Sequence, residues 1–200
     1  MKVSKKQAQE NRAHIVATAS ALFRERGYDG VGIADLMAAA GFTQGGFYKH
    51  FNSKADLMAE SSACGIEQSA ALLAGASAED FVKTYLARDH RDHRATGCTL
   101  AALCADAARK EETVRTTFAA GIEAQLAALC EGSSEADGPD AAQVRAKHLA
   151  LMAHALGAVV MSRACPDDSP LADEILAVCR DAILGMIAPA GTAEAAEQEK

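Results

Sequence analysis

Apolar residues recur at helical spacing along most of this chain, and that period settles the fold class before any motif is considered. Ile15, Ala19, Leu22 and Phe23 fall at i, i+4, i+7 and i+8, which puts one apolar stripe on a helix from about Gln7 to Arg26. Gly27 ends it. Ile33, Leu36, Met37 and Ala40 repeat the spacing over two turns and stop at Gly41, a residue free to adopt the left-handed backbone of a sharp turn. Thr43 offers an N-cap oxygen to a third, short helix whose inward residues are Phe47 and Phe51. Ser53 and Asp56 stand at the S-x-x-D spacing of a capping box, so a fourth, longer helix begins at Lys54. No strand pattern survives and no internal repeat is visible. Abundant alanine, four prolines and the absence of tryptophan favour helices as well, so an all-α protein of about nine helices is expected.

The first three short helices, the second and third joined by Ala40-Gly41-Phe42, make the compact unit of a helix-turn-helix. Beyond them the pattern predicts helices at about Lys54–Leu73, Ala78–Arg88, Thr99–Lys110, Thr113–Glu131, Ala141–Arg163 and Ser169–Ile187. The breaks fall at Ala74–Ser77, a charged loop Asp89–Gly97, Gly132–Asp140 and Cys165–Asp168. After Pro189 no apolar periodicity remains and the end should fray. The expected division is a DNA-binding head over 7–63, a second helical domain over 64–188 and a disordered tail over 189–200.

Net charge is −7, which looks unfavourable for nucleic acid, but it is unevenly spread. Residues 1–60 hold eight Lys/Arg against six Asp/Glu, and the remainder twelve against twenty-one. A mildly basic head on an acidic body is compatible with phosphate contact, which depends on local charge. The basic start runs into the polar stretch Gln7–Arg12 and so is no secretory signal. No uncharged apolar run reaches the ~18 residues of a membrane span, so a cytoplasmic protein with no membrane partner is expected. The six cysteines show neither C-x-x-C nor zinc-finger spacing and read as free, mostly buried thiols. The sequence also lacks G-x-S-x-G, P-loop and H-E-x-x-H patterns, so no catalytic residue, cofactor or metal site is expected.

The run Gly41-Phe42-Thr43-Gln44-Gly45-Gly46-Phe47-Tyr48-Lys49-His50-Phe51-Asn52-Ser53-Lys54-Ala55-Asp56-Leu57 resembles the signature of the TetR family of transcriptional regulators. Ala19-x-x-Leu22-Phe23, Gly27-Tyr28 and Ile33-x-x-Leu36 fall where that family places its first two helices. The resemblance implies a homodimeric regulator, by habit a repressor, bound to a palindromic double-stranded DNA operator and released by a small-molecule effector. Its DNA-binding residues would be Thr43, Gln44, Gly45, Gly46, Tyr48, Lys49, His50 and Lys54. The chemistry of those residues agrees. The Thr43 hydroxyl and the helix start suit a phosphate, while Gly45 and Gly46 permit close approach at a helix-propensity cost of roughly 1 kcal/mol each. Gln44 and Lys49 are placed to reach base edges or phosphates, and Tyr48, His50 and Lys54 the backbone. Taken singly, Tyr48 and His50 read equally well as packed residues, and Lys54 as a solvated one. Two positions depart from the family pattern: Gly32 stands where a Ser/Thr cap is usual, and Gly46 where Thr is common.

The same resemblance makes the later residues an effector-binding and dimerisation domain. Ile175, Val178, Cys179, Ala182, Ile183 and Met186 line one face of the last helix, and Leu149, Leu151, Met152, Ala153, Ala155, Leu156, Val159 and Val160 cover most of the preceding one, more surface than a monomer buries. Phe81, Tyr85, Leu103, Phe118 and Met152 are candidates for an effector pocket. Gly97-Cys98-Thr99-Leu100-Ala101-Ala102-Leu103 resembles a segment of one TetR subgroup that opens helix 6. Cys98 at that helix start, with Arg91 and Arg94 nearby in sequence and Cys104 as companion, is a candidate redox or electrophile sensor; a small buried thiol is the plain alternative. The segment Arg88–Arg94 reads as a solvated charged loop. A helical enzyme and a helical protein-interaction module are the rival functions.

Overall fold

A computed structural model describes residues 4–73, 77–131 and 141–187; within them every regular element is helical. The elements are α1 (Lys5–Arg26), α2 (Ile33–Ala39), a 3₁₀ helix (Gln44–Lys49), α3 (Lys54–Leu73), α4 (Ala78–Tyr85), α5 (Arg88–Asp92), a second 3₁₀ helix (Arg94–Thr96), α6 (Thr99–Ala107), α7 (Glu112–Glu131), α8 (Ala141–Ala164) and α9 (Pro170–Ile187). The expected breaks at 74–76 and 132–140 and the tail after 187 lie outside the described residues.

Local chemistry explains most boundaries. Ser4 accepts from the Gln7 amide at 3.1 Å and opens α1 two residues earlier than the apolar period suggests. Gly27, at φ 71°, closes it. The end of α2 is a Schellman turn: the Phe42 amide donates to Met37 O at 2.8 Å and the Gly41 amide to Ala38 O at 3.0 Å, with Gly41 at φ 79°. Ser53 accepts from the Asp56 amide at 3.0 Å, as its capping-box spacing requires. Ser77 does the same for Asp80 at 3.1 Å and starts α4.

The chain forms two compact units. The first takes residues 1–74 and 93–146. There α3 packs on both α1 and α7. Gly121 makes the second contact possible, since a Cβ on it would lie 2.6 Å from Ile66 Cδ1. The core of this unit includes Ile15, Ala19, Phe23, Tyr28, Leu36, Met37, Phe47, Leu57, Val114 and Leu126.

The second unit takes residues 75–92 and 147–200. Val82 and Leu86 are buried there with Ala155, Ala158 and Val159 of α8 and Leu176 and Ile183 of α9. Ser162 Oγ donates to Ala172 O at 2.8 Å and ties α8 to the first turn of α9. Two expectations need correction here. The helix predicted over Ala78–Arg88 stops at Tyr85, and Arg88–Asp92, predicted as a solvated loop, is a short helix. The cause is tertiary: Arg91 is only 2% exposed and pairs with Asp92 and Asp167, while Arg88 reaches Asp173 at 2.8 Å.

Candidate nucleic-acid interface

The presented segment is short, and the rest of the head is arranged to hold it. Gln44–Lys49 is a 3₁₀ helix where the sequence predicts a short helix with α-helical spacing. Two glycines in its first turn weaken α propensity, and the Gly46 amide closes a tight turn onto Thr43 O at 2.9 Å. Its one buried residue is Phe47, whose ring lies 5.5 Å from that of Phe51 and meets Tyr48 edge-on at 5.2 Å.

Arg12 of α1 clamps the far end. Its Nη1 donates to His50 O, its Nε to Glu60 Oε1 at 3.2 Å and its Nη2 to Glu60 Oε2, and its guanidinium lies 4.3 Å from the Phe51 ring centroid. One side chain therefore fixes the exit of the 3₁₀ helix against α1 and α3. Sequence reasoning missed it, because Arg12 and Glu60 are 48 positions apart and neither belongs to a local pattern.

Tyr28 is the second brace and uses every polar group it has. Its amide donates to Asp106 Oδ2 at 3.2 Å, its carbonyl accepts from Lys54 Nζ at 2.6 Å, and its hydroxyl shares a 2.6 Å hydrogen bond with Ser62 Oγ. Burial pushes the Tyr28 phenol up to about 12, against the pull of the Ser62 hydrogen bond and with help from the charges at Asp106 and Cys104. The native state thus holds this proton more tightly than the unfolded chain does. The resulting stability is complete below pH ~10 and drains away as pH rises toward 12, a contribution of about 2–3 kcal/mol for two pH units. Lys54, held below the usual lysine range by burial, titrates nearby with the opposite sign. Tyr28→Phe isolates the phenol: its stability should fall less between pH 10 and 12 than the wild type's in urea titrations, and equal slopes would refute the assignment.

With those braces in place, the exposed surface of the segment is Thr43, Gln44, Gly45, Tyr48 and Lys49, with Tyr48 70% exposed. Thr43 occupies the N-cap position, yet its side chain makes no capping hydrogen bond, so its hydroxyl remains available. Gly45 has nothing within 4 Å of a built Cβ, so packing within the chain does not demand glycine there. Gly46 differs from Gly45: its Cβ direction faces Met37 Cε at 3.6 Å, toward the protein. His50 is half-buried beside the Phe42 and Phe51 rings. Lys54 is half-buried with its ammonium on Tyr28 O and 5.9 Å from the Phe23 ring. The structure therefore gathers five of the eight predicted residues on one exposed surface and sets Gly46, His50 and Lys54 behind or beside it. Gly32 caps α2 without a side-chain bond.

The pattern of the bacterial regulatory proteins of the tetR family matches residues 15–60, the segment that carries this clamped 3₁₀ helix. Residues 15–60 form a TetR-type head. Its head is 40% identical over 57 residues to the HTH-type transcriptional regulator AcrR of Shigella flexneri and 44% identical over 55 residues to TtgR of Pseudomonas putida. Each match covers 28% of this chain and 26% of the relative, so the chain spans about a quarter of the length of these curated relatives. The fold is shared more widely: the reduced form of NemR from E. coli superposes with a TM-score of 0.71 at 20% identity, over 90% of this chain and 99% of that one. The described residues thus have the all-α architecture the sequence resemblance implied, with an N-terminal helix-turn-helix.

The candidate effector residues do not gather in either unit. Leu103 and Phe118 are buried in the first unit. Phe81, Tyr85 and Met152 are half-buried in the second, where the Phe81 and Tyr85 rings lie 5.2 Å apart and Tyr85 lies 4.4 Å from the His90 ring. Cys98 caps α6 and is buried, and Arg91 is committed to Asp92 and Asp167. Burial pushes the Cys104 thiol up to about 11, away from thiolate reactivity. Six residues of helical rise, about 9 Å, separate Cys98 from Cys104, too far for a disulfide while α6 is formed.

Proposed function

We propose that this chain is a cytoplasmic, homodimeric DNA-binding regulator, a repressor that leaves its palindromic operator when a small molecule binds. The observation that carries the reading is the exposed row Thr43, Gln44, Gly45, Tyr48 and Lys49 on a 3₁₀ helix anchored by Phe47 and clamped at its exit by Arg12. A glycine with no packing duty stands beside an amide, a hydroxyl, a phenol and an ammonium, the donor set of major-groove and phosphate contact. Gly46, His50 and Lys54 act in this reading as support, with Lys54 setting the angle between α3 and the turn before α2. Several of the head's basic residues are committed internally: Arg12 to Glu60, Arg24 to Ser20, Thr99 and Ala95, and Lys54 to Tyr28. Binding should accordingly rest on few phosphate neutralisations and have a shallow salt slope.

Exposed apolar residues of the second unit support the dimer reading. Leu149 (45%), Val160 (42%) and Met161 (60%) on α8, and Leu171 (52%), Val178 (62%) and Met186 (52%) on α9, are exposed hydrophobic side chains. Gly157 and Gly185 on the same two helices have open space at their Cβ positions, which suits close helix approach. Among the described residues α8 is also the one helix long and apolar enough to cross a membrane, but it carries Arg145, Lys147 and Arg163 and its apolar residues continue onto α9. A second copy of the same surface matches both helices at once. For effector release, the ring cluster Phe81, Tyr85 and His90 favours a planar or apolar ligand over cysteine modification, given the burial of Cys98 and the raised Cys104 thiol.

Selection of bound fragments from the source genome tests the reading, followed by Gln44→Ala and Lys49→Ala on the recovered site. Gln44→Ala should relax discrimination between sites by about 1–3 kcal/mol. Lys49→Ala should weaken all sequences alike and lower the salt slope by about one. Recovery of no preferred site, with both variants inert, would leave only an interaction module with the shape of a reading head.

A further inference from the structure

Arg24 is a buried cation without an anion among the described residues. It sits on α1, is 7% exposed, and bonds only to neutral oxygens: Nε to Ala95 O at 2.8 Å, Nη1 to Ser20 Oγ at 3.0 Å and to Thr99 Oγ1 at 3.1 Å. Among the described residues no carboxylate pairs with it, and Nη2 has no hydrogen-bond partner. Helix α3 is shaped to admit the guanidinium. A Cβ on Gly65 would strike Arg24 Nη1, and would lie 2.5 Å from both Ser20 Oγ and Thr99 Oγ1. Nη2 is therefore turned to the open space beside it, where an anion would meet a guanidinium whose protein partners are all neutral.

Space for that anion lies beside it. Arg24 lines a cavity of about 400 Å³ with Gln68, Ser69 and Ala71 of α3 and Thr96 of the second 3₁₀ helix, all within the first unit. We propose that this cavity is a binding site for a small organic monoanion, a carboxylate on an apolar body, seated on the Arg24 guanidinium. One cation matches one negative charge; a phosphate dianion would ask for more donors than a single arginine supplies. The wall is mostly carbon, which suits an apolar body, and the Gln68 amide and the Ser69 and Thr96 hydroxyls give it a polar edge. Burial presses the Arg24 pKa downward, and the groups favouring its charge are the thiols of Cys64 and Cys98, neutral in their ordinary state. The site shares no residue with the aromatic cluster of the second unit. It joins α1, which carries the Arg12 clamp, to α3 and to the turn before α6, so an occupant would bias the part of the molecule that holds the head.

Calorimetric titration and thermal melting with benzoate, its neutral isostere benzamide and inorganic phosphate, at constant ionic strength, test this without any DNA. Benzoate should bind saturably and raise the melting temperature, with benzamide and phosphate each about 10-fold weaker or worse. Gln68→Glu places a carboxylate in the cavity and should weaken benzoate about 10-fold or more, with a melting temperature at or above wild type. Ala71→Phe, which fills the cavity from an exposed position, should do the same by sterics. The proposal fails if benzoate shows no binding at about 10 mM, a range covering millimolar dissociation constants. It fails equally if benzamide or phosphate matches benzoate, or if both variants bind benzoate as the wild type does.

Discussion

Val178→Glu is expected to turn the protein into a monomer that still folds and no longer holds its operator. Val178 is 62% exposed on α9, within the stripe that includes Leu171 and Met186 and near Gly185, whose Cβ direction is open. In an isolated chain a charge there meets water, so unfolding free energy should move by no more than about 0.5 kcal/mol. In a two-fold dimer the same substitution enters the interface twice, burying two carboxylates against apolar surface at several kcal/mol each. Sedimentation should show the mass halved. DNA affinity should then fall about 100-fold or more, because the second head no longer binds at the high effective concentration its twin provides. Thr116→Glu, at an exposed site on α7, serves as the control and should leave both properties unchanged. A Val178→Glu protein that sediments like the wild type, or a wild type that is already monomeric, ends the dimer proposal.

The contrast between what the sequence disclosed and what it hid follows the range of the interactions. Gly27, Gly41 and the Ser53/Asp56 cap act within four residues of themselves, and each stops or starts a helix where the pattern placed it. The exposed row of the 3₁₀ helix was legible for the same reason, since its inward residue Phe47 announces which face is buried. The braces were not legible. Arg12 to Glu60, Arg24 to Thr99 and Tyr28 to Asp106 join residues 48, 75 and 78 positions apart, and an arginine or aspartate on a helix has no local mark of burial. The division of the predicted Ala78–Arg88 helix belongs to the same class. No glycine or proline interrupts it; Arg88 and Arg91 start a new helix because their partners Asp173 and Asp167 come from the far end of the chain. A charge count is blind to the same contacts, because the +2 head includes cations that hold the 3₁₀ helix and α3 in place.

Phe47 decides whether that held geometry exists at all. It is fully buried and is the only residue of Gln44–Lys49 that is, so the segment has one hydrophobic anchor. Removing the ring by Phe47→Ala leaves a cavity beside the Phe51 ring, with an expected loss of about 3–5 kcal/mol. Set against a total of about 5–15 kcal/mol for an ordinary domain, that is enough to free the segment even where the remaining helices stay folded. Gly45 and Gly46 then work against binding, because an unanchored Gly45-Gly46 stretch has the most backbone entropy to lose. DNA affinity should therefore fall further for Phe47→Ala than for Gln44→Ala or Lys49→Ala, although Phe47 is buried. Amide exchange over 43–51 should accelerate in step with it. Phe47→Leu, which keeps most of the volume, should recover most of the stability and affinity. If Phe47→Ala cost less than about 1 kcal/mol in urea unfolding and bound the operator as the wild type does, anchoring by this ring could not be what presents the row.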